Sequence, residues 1–351
     1  MSNLNFKNLI SNRPFFIAEI SANHNGSFDH AKKLISTAKK NGADAVKLQT
    51  YTPNTMTIKS HRNEFKIKKG LWKGNTLWDL YSKAQTPFEW HKKLFTYAKK
   101  IKIICFSTPF DDTAVDLLEN LNCPFYKVAS FEMTDIPLIK KIAKTKKTMI
   151  ISTGMANLKE IDITYNIAKK NGAKEIVLLY CVSNYPSKIT DYNFNNIKIL
   201  KERYNCIIGF SDHSTDNRVV AAAVASGAKV IEKHIALDNQ RTGFDIAFSL
   251  KGKQIKEYKN VINETSIMMG KDFFYRNINE KISAQHRRSI YAISDIKKGE
   301  RFTKRNIKVI RPGLGIQPIY FDILINKKSP FNIKGKTPLK KSLLKKKRIS
   351  I

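Results

Sequence analysis

A closed (β/α)8 TIM barrel followed by a small β-rich C-terminal domain is the fold class this sequence predicts. Three observations predict it. Short apolar, β-rich runs alternate with segments of helical period. Eight such units fit within roughly the ~250 residues that a barrel of this kind uses. After Phe274 the pattern changes, and short β-like runs with turn signals take over. Strands alternating with helices imply right-handed βαβ crossovers and a parallel sheet. A doubly wound open sheet is the alternative, but no GxGxxG follows the first strand.

In chain order, the strands are expected at Phe15–Ile20, Ala45–Tyr51, Lys102–Thr108, Phe125–Ser130, Thr148–Thr153, Glu175–Val182, Cys206–Ser211 and Lys229–Ile235. The first helix shows the logic of the intervening segments. Ala31, Leu34, Ile35 and Ala38 recur at i, i+3, i+4 and i+7 and make one apolar face. Asn41-Gly42 then stops it, because glycine tolerates the left-handed C-cap. Leu94, Ala98 and Ile101 repeat the pattern in the second helix. Between them lies a long insertion, Thr52 to Thr86, carrying Trp72 and Trp78; a lid or substrate-facing loop is expected there. The barrel is assigned to residues 1–275, a polar linker to 276–287 and the β-rich domain to 288–351. The last is read from Ser289–Ile293, Lys298-Gly299-Glu300, Val309–Ile310 and Arg311-Pro312-Gly313.

Of 351 residues, 42% are hydrophobic and 26% charged, enough for a normal core and against wholesale disorder. No apolar run approaches the ~18 residues of a membrane helix, and Met1 to Leu9 lacks the apolar centre of a signal peptide. Cys105, Cys123, Cys181 and Cys206 form no CxxC pair and no disulfide framework, so buried thiols and a cytoplasmic location are expected. The charge balance is extreme: 63 Lys+Arg against 29 Asp+Glu, or +34. That suggests anionic partners and brings a nucleic-acid-binding protein into consideration. The lysines, however, are scattered over every amphipathic segment, with no basic stripe and no interleaved stacking aromatics. A Lys-rich solvated surface, with no nucleic-acid and no membrane partner, is the expectation. The densest basic cluster is the tail from Lys340 to Arg348.

Barrel active sites form at the C-terminal ends of the strands. Here those ends are polar: Glu19; Lys47 and Gln49; Ser107-Thr108; Lys127 and Ser130; Ser152-Thr153-Gly154; Ser183-Asn184-Tyr185; Ser211-Asp212-His213; Glu232-Lys233-His234. Lys47 and Lys127 stand inside apolar strands, where an unpaired ammonium costs several kcal/mol. Either Glu19 or Glu132 pairs with them, or they point, with the hydroxyls of Ser152, Ser183 and Ser211, at a phosphate or carboxylate; the mix of cations and small hydroxyls favours the second. His213 and His234 end successive strands only ~4.8 Å apart. Two neutral imidazoles so placed can share a divalent metal, with Asp212 and Asp245 close by in sequence.

At these residues the chain resembles the sialic acid synthase family. The matching segments are Ile17-Ala18-Glu19-Ile20-Ser21-Ala22-Asn23-His24-Asn25-Gly26, Lys47-Leu48-Gln49-Thr50-Tyr51, Phe106-Ser107-Thr108-Pro109-Phe110-Asp111, Lys127-Val128-Ala129-Ser130-Phe131-Glu132, Ser152-Thr153-Gly154-Met155, Ser211-Asp212-His213 and Glu232-Lys233-His234. Arg288-Ser289, Lys298-Gly299-Glu300 and Arg311-Pro312-Gly313 resemble the family's antifreeze-like (SAF) domain. One departure is Gly335-Lys336-Thr337-Pro338-Leu339, where an extra lysine interrupts the usual Gly-Thr-Pro-Leu. Ser21-Ala22, together with Leu77-Trp78-Asp79-Leu80-Tyr81 through Trp90-His91, is nearest the subgroup whose sugar is 2,4-diacetamido-2,4,6-trideoxy-altrose. Siblings making N-acetylneuraminic or legionaminic acid are the alternative.

The resemblance implies condensation of phosphoenolpyruvate with an amino sugar to give a nine-carbon acid and phosphate. Lys47, Lys127, Ser130, Ser152, Ser183 and Ser211 would hold phosphoenolpyruvate. His213 and His234 would bind a divalent ion such as Mn²⁺. Glu19 would stabilise developing positive charge or orient the attacking water. Gln49, Tyr185 and Asp245 would contact the sugar, and Arg311 would reach it from the partner subunit of a domain-swapped homodimer.

Overall fold

The structure is a computed structural model that describes residues 6–270 and 274–344. Within the first unit, residues 1–270, eight strands run β1 (Phe15–Glu19), β2 (Ala45–Thr50), β3 (Ile104–Pro109), β4 (Phe125–Val128), β5 (Thr148–Ser152), β6 (Ile176–Cys181), β7 (Ile207–Asp212) and β8 (Val230–Ala236). Each pairs in parallel with the next, and β8 pairs with β1 to close the barrel. Every strand starts and ends within two residues of its expected place. The strands were legible because barrel strands are covered on both faces and so read as unbroken apolar runs; β6, for one, is buried at every position.

Helices follow each strand: α1 (Phe28–Lys40), α2 (Phe88–Lys100), α3 (Asp112–Asn120), α4 (Ile136–Lys144), α5 (Leu158–Lys170), α6 (Asn195–Arg203), α7 (Asn217–Ala225) and α8 (Gln254–Met269). In α1 the buried residues are Ala31, Leu34, Ile35 and Ala38, the expected face. Ser27 caps its first turn by accepting the His30 N–H, and Gly42 at φ +86 ends the turn that follows. Leu94 and Ala98 are buried on α2, beside His91. The insertion after β2 folds as two helices, Pro53–Met56 and Leu77–Ala84, joined by a short antiparallel bridge between Lys66 and Thr76.

The second unit spans residues 271–351. Strand Ser289–Ala292 pairs antiparallel with both Ile307–Ile310 and Thr337–Pro338. Ile290, Ala292, Ile296, Phe302, Ile307 and Leu339 form its small core. The inserted Lys336 adopts φ +61 just before the two-residue strand. The stretch expected as a linker, 276–287, carries helix Ile278–Ser283, closed at its start by a reciprocal Asn277/Glu280 capping box. Lys345 to Arg348 of the basic tail lies outside the described residues. Cys105, Cys123 and Cys181 are buried free thiols and Cys206 is half-buried. Among the described residues no helix is long and apolar enough to cross a membrane.

Candidate functional site

The strand ends converge on a cavity of about 500 Å³. Its floor and lower wall hold Lys47, Lys127, Ser130, Ser152, Ser211, Glu232, His213 and His234. The insertion after β2, where a lid or substrate-facing loop was expected, supplies the upper wall through Met56, Ile67, Trp72, Leu80 and Tyr81. Trp72 donates its indole N–H to the Phe244 carbonyl at 3.0 Å and packs 5.9 Å from the Tyr185 ring.

The lysines lie in the barrel interior, and both are almost wholly buried (3% and 2% exposed). The register sets Glu19 opposite Lys47 on one side and His234 on the other. Lys47 forms an ion pair with Glu19, donates to Thr108 Oγ1 at 2.8 Å, and lies 4.0 Å from Glu232. Lys127 donates to Ser152 Oγ at 2.7 Å and to the Val128 carbonyl at 2.9 Å, and lies 3.8 Å from Glu232. Ser211 donates to Glu232 Oε1 at 3.0 Å. Burial would raise the Glu232 carboxyl, but Lys127 and Lys47 outweigh it and hold it below the usual range. For Glu19 burial wins over Lys47, with the Glu232 charge adding to it, and the carboxyl rises well above the usual range. Burial pulls Lys47 down too, but Glu19 and Glu232 more than restore it. Two ammonium groups thus face one firmly ionised carboxylate and one pushed toward its acid form. Such a floor can receive an anion.

The imidazoles of His213 and His234 stand with ring centroids 5.5 Å apart. His213 Nδ1 is bonded to the Val182 carbonyl at 3.0 Å, with the Cys181 thiol 3.8 Å away, which leaves Nε2 for another partner. Burial drives His234 well below the normal imidazole range, so it is a neutral donor. Its buried Nδ1 has no hydrogen bond, and Asp245 is 3.5 Å away. Burial pulls His213 down, but the Cys181 thiol and the Val182 carbonyl outweigh it and raise this imidazole above its ordinary range. One neutral imidazole and one that binds its proton more readily thus share the cavity, and with that proton displaced their nitrogens can hold a divalent ion with open positions. No cluster of three or more His, Cys, Asp or Glu poised for a metal occurs among the described residues. Behind it, Asp212 accepts from Tyr258 Oη at 2.7 Å and the Ser214 N–H at 2.7 Å, and pairs with Lys233 at 3.3 Å. This ties β7, β8 and α8 together through the chain neighbours of both imidazoles.

Of the residues singled out from sequence, Lys47, Gln49, Lys127, Ser130, Ser152, Tyr185, Ser211, His213, His234 and Asp245 line the cavity. Glu19 sits just beneath it against Lys47. Ser183 lies in the adjacent shell; its Oγ and that of Ser130 flank Gly154 so closely that a Cβ there would come within 2.3 Å of Ser183 Oγ. Arg311 belongs to the second unit and is exposed. Glu232 was missed as a lysine partner, although it shares strand parity with His234 two residues on. Glu132 pairs with neither lysine. It lines the cavity with an unpartnered Oε2, and burial pushes it up to about 7. Tyr51, Tyr81 and Phe248 also line the wall; their aromatic character alone reads as core.

Comparison with known proteins agrees with this geometry. The NeuB family model matches residues 34–273 and the SAF domain model matches residues 287–345. A pseudaminic acid synthase from Campylobacter jejuni subsp. jejuni serotype O:2 is 42% identical over 328 residues, covering 93% of this chain and 95% of that one. An N,N'-diacetyllegionaminic acid synthase from the same organism is 37% identical, covering 92% and 97%. The crystal structure of an N-acetylneuraminic acid (sialic acid) synthetase from Leptospira borgpetersenii serovar Hardjo-bovis, in complex with citrate, superposes with a TM-score of 0.70 at 29% identity over 78% of this chain and 90% of that one. With a family model spanning most of the barrel and relatives aligned nearly end to end, the chain belongs to the NeuB family.

Proposed function

We propose that this chain is a pseudaminic acid synthase, condensing phosphoenolpyruvate with 2,4-diacetamido-2,4,6-trideoxy-altrose and water to give pseudaminic acid and phosphate. The observation that carries this reading is the buried Lys47/Lys127 pair sharing one cavity with the imidazoles of His213 and His234. Lys47, Lys127, Ser130, Ser152, Ser183 and Ser211 hold the phosphate and carboxylate of phosphoenolpyruvate. Gln49, Tyr185 and Asp245 orient the sugar so that its open-chain aldehyde faces the enol. A C–C bond forms between C3 of phosphoenolpyruvate and the aldehyde carbon, leaving C2 electron-poor. Glu19, beneath that centre, stabilises the charge or orients the water that adds to C2, and the C2–O bond to phosphate then breaks. His213 and His234 would hold Mn²⁺ or a similar ion, whose chemistry is Lewis-acid polarisation of the aldehyde oxygen.

The test is phosphate release from phosphoenolpyruvate across a panel of 2-acetamido and 2,4-diacetamido sugars. The altro sugar is expected to give the highest kcat/KM; preference for N-acetylmannosamine or the legionaminic precursor would transfer the chain to a sibling activity. Arg311 is assigned to the sugar site of a partner subunit in a homodimer. Arg311→Ala and His213→Ala proteins, each inactive, should regain activity once their subunits exchange. No recovery despite demonstrated exchange would remove Arg311 from the partner's site.

A further inference from the structure

Ser21 follows β1 and holds φ +48, the left-handed region in which a Cβ crowds the backbone and glycine is the favoured residue. It is also buried and on the cavity wall. Its hydroxyl donates to Oδ2 of Asp245, a residue far along the chain in the loop after β8. The backbone of Asp245 is secured without Ser21: its N–H donates to Asn23 Oδ1 at 3.3 Å and its carbonyl accepts from Ser249 Oγ at 2.7 Å. Asn23 in turn donates to the Ile235 carbonyl at 2.9 Å and to Ser249 Oγ at 2.8 Å. What remains free to turn is the carboxylate, which the Ser21 hydroxyl and the Ala22 N–H hold at the edge of the cavity, 3.5 Å from His234 Nδ1. A strained residue persists where its surroundings over-determine it, and such residues gather at ligand sites.

We propose that Ser21 is a positioning residue for sugar selectivity: by fixing the rotation of the Asp245 carboxylate it sets which hydroxyl or acetamido N–H of the sugar that carboxylate can accept from. The proposal rests on the reading that the cavity takes an amino sugar. The strain locates the role in the hydroxyl, because a glycine would satisfy the backbone better and a serine supplies only Oγ in return.

Two substitutions separate hydroxyl from backbone. Ser21→Gly and Ser21→Ala both delete Oγ, but glycine relieves the left-handed strain and alanine keeps it. The expected result is a split. Both variants raise the KM for the sugar by a similar factor, about tenfold, the lower end for a hydrogen bond to a charged group. The KM for phosphoenolpyruvate stays at the wild-type value, and preference across the sugar panel narrows in both. Melting temperature instead follows the backbone, with glycine above alanine. Adding Ser21→Ala to Asp245→Ala should raise the sugar KM no further than Asp245→Ala alone. A sugar KM that tracks melting temperature, with glycine near wild type and alanine worse, would overturn the proposal. So would equal shifts for both substrates, or unchanged sugar kinetics in both variants, while the wild-type enzyme still turns the sugar over. A wild-type enzyme that condenses no amino sugar with phosphoenolpyruvate sinks the reading of the cavity, and the role of Ser21 with it.

Discussion

The two ends of the barrel carry cavities of similar size, about 500 Å³ at the C-terminal ends of the strands and about 580 Å³ at the N-terminal ends. The N-terminal cleft has more lysines: Lys92, Lys99, Lys146, Lys147 and Lys174. Yet four of these are exposed, and Lys147, half-buried, already pairs with Glu119 at 2.5 Å. An ammonium in water keeps its hydration and interacts weakly and screenably with anions. Lys47 and Lys127 have given up that hydration, and Glu19, Glu232, the Val128 carbonyl and a few hydroxyls stand in for it. Neither cavity volume nor lysine count separates the two ends. The state of the charge does, and it matters all the more in a chain of net charge +34, where exposed lysines are everywhere.

The sharpest way to test the contrast is at the imidazoles. His234→Ala, or exhaustive chelation of the wild type, should cut turnover by several kcal/mol, on the order of a thousandfold, with added Mn²⁺ restoring only the wild type; full activity in demetallated enzyme would end the metal role. Next come the lysines. Lys127→Met or Lys47→Met should raise the KM for phosphoenolpyruvate about ten- to hundred-fold, some 1.5–3 kcal/mol, and leave the sugar KM nearly alone. Lys146→Met and Lys174→Met at the other end should change neither; an equal effect from the two ends would dissolve the comparison.

A smaller effect belongs to His24, at the mouth end behind the cavity. It is buried, receives the Gly26 N–H at 3.1 Å, and burial lowers it to about 4. The unfolded chain, titrating near ~6.5, takes up the proton first. The contribution of neutral His24 is therefore full above that value and is lost as pH falls from ~6.5 toward ~4, by about 3 kcal/mol at most. Urea midpoints across that range should show the loss, and His24→Asn should flatten it; an unchanged slope would place the titration elsewhere. Smallest is Lys146→Gly. Lys146 occupies φ +57 in the turn before β5, so glycine should stabilise the barrel by a few tenths to about 1 kcal/mol. Denaturant midpoints would show it, with turnover unchanged.

The barrel was legible because both of its signals are local: buried strands as apolar runs, helices as one-sided stripes such as Ala31, Leu34, Ile35 and Ala38. The rim was legible for a related reason, since lysine and glutamate inside apolar strands have no cheap alternative to a polar interior. Pairing was not legible. Glu132 looked as good a partner as Glu19, whereas the structure gives Lys127 to Glu232. Only the closed barrel says which inward side chains on non-adjacent strands meet. The left-handed angle of Ser21 and its pairing with Asp245 were hidden for the same reason, because a backbone angle and a contact between residues 224 positions apart in the chain leave no mark on composition or period.

The clasp between Trp72 and the Phe244 carbonyl spans 172 positions of chain, and β1 waits for β8 before it has a second neighbour. A ribosome making this protein emits Lys47, Lys127 and the Trp72 loop long before the strand that carries Glu232 and His234. Until β8 closes the barrel, the two buried ammonium groups have no Glu232 to face and the upper wall has nothing to hold on to. The cavity is therefore complete only once β8 has closed the barrel.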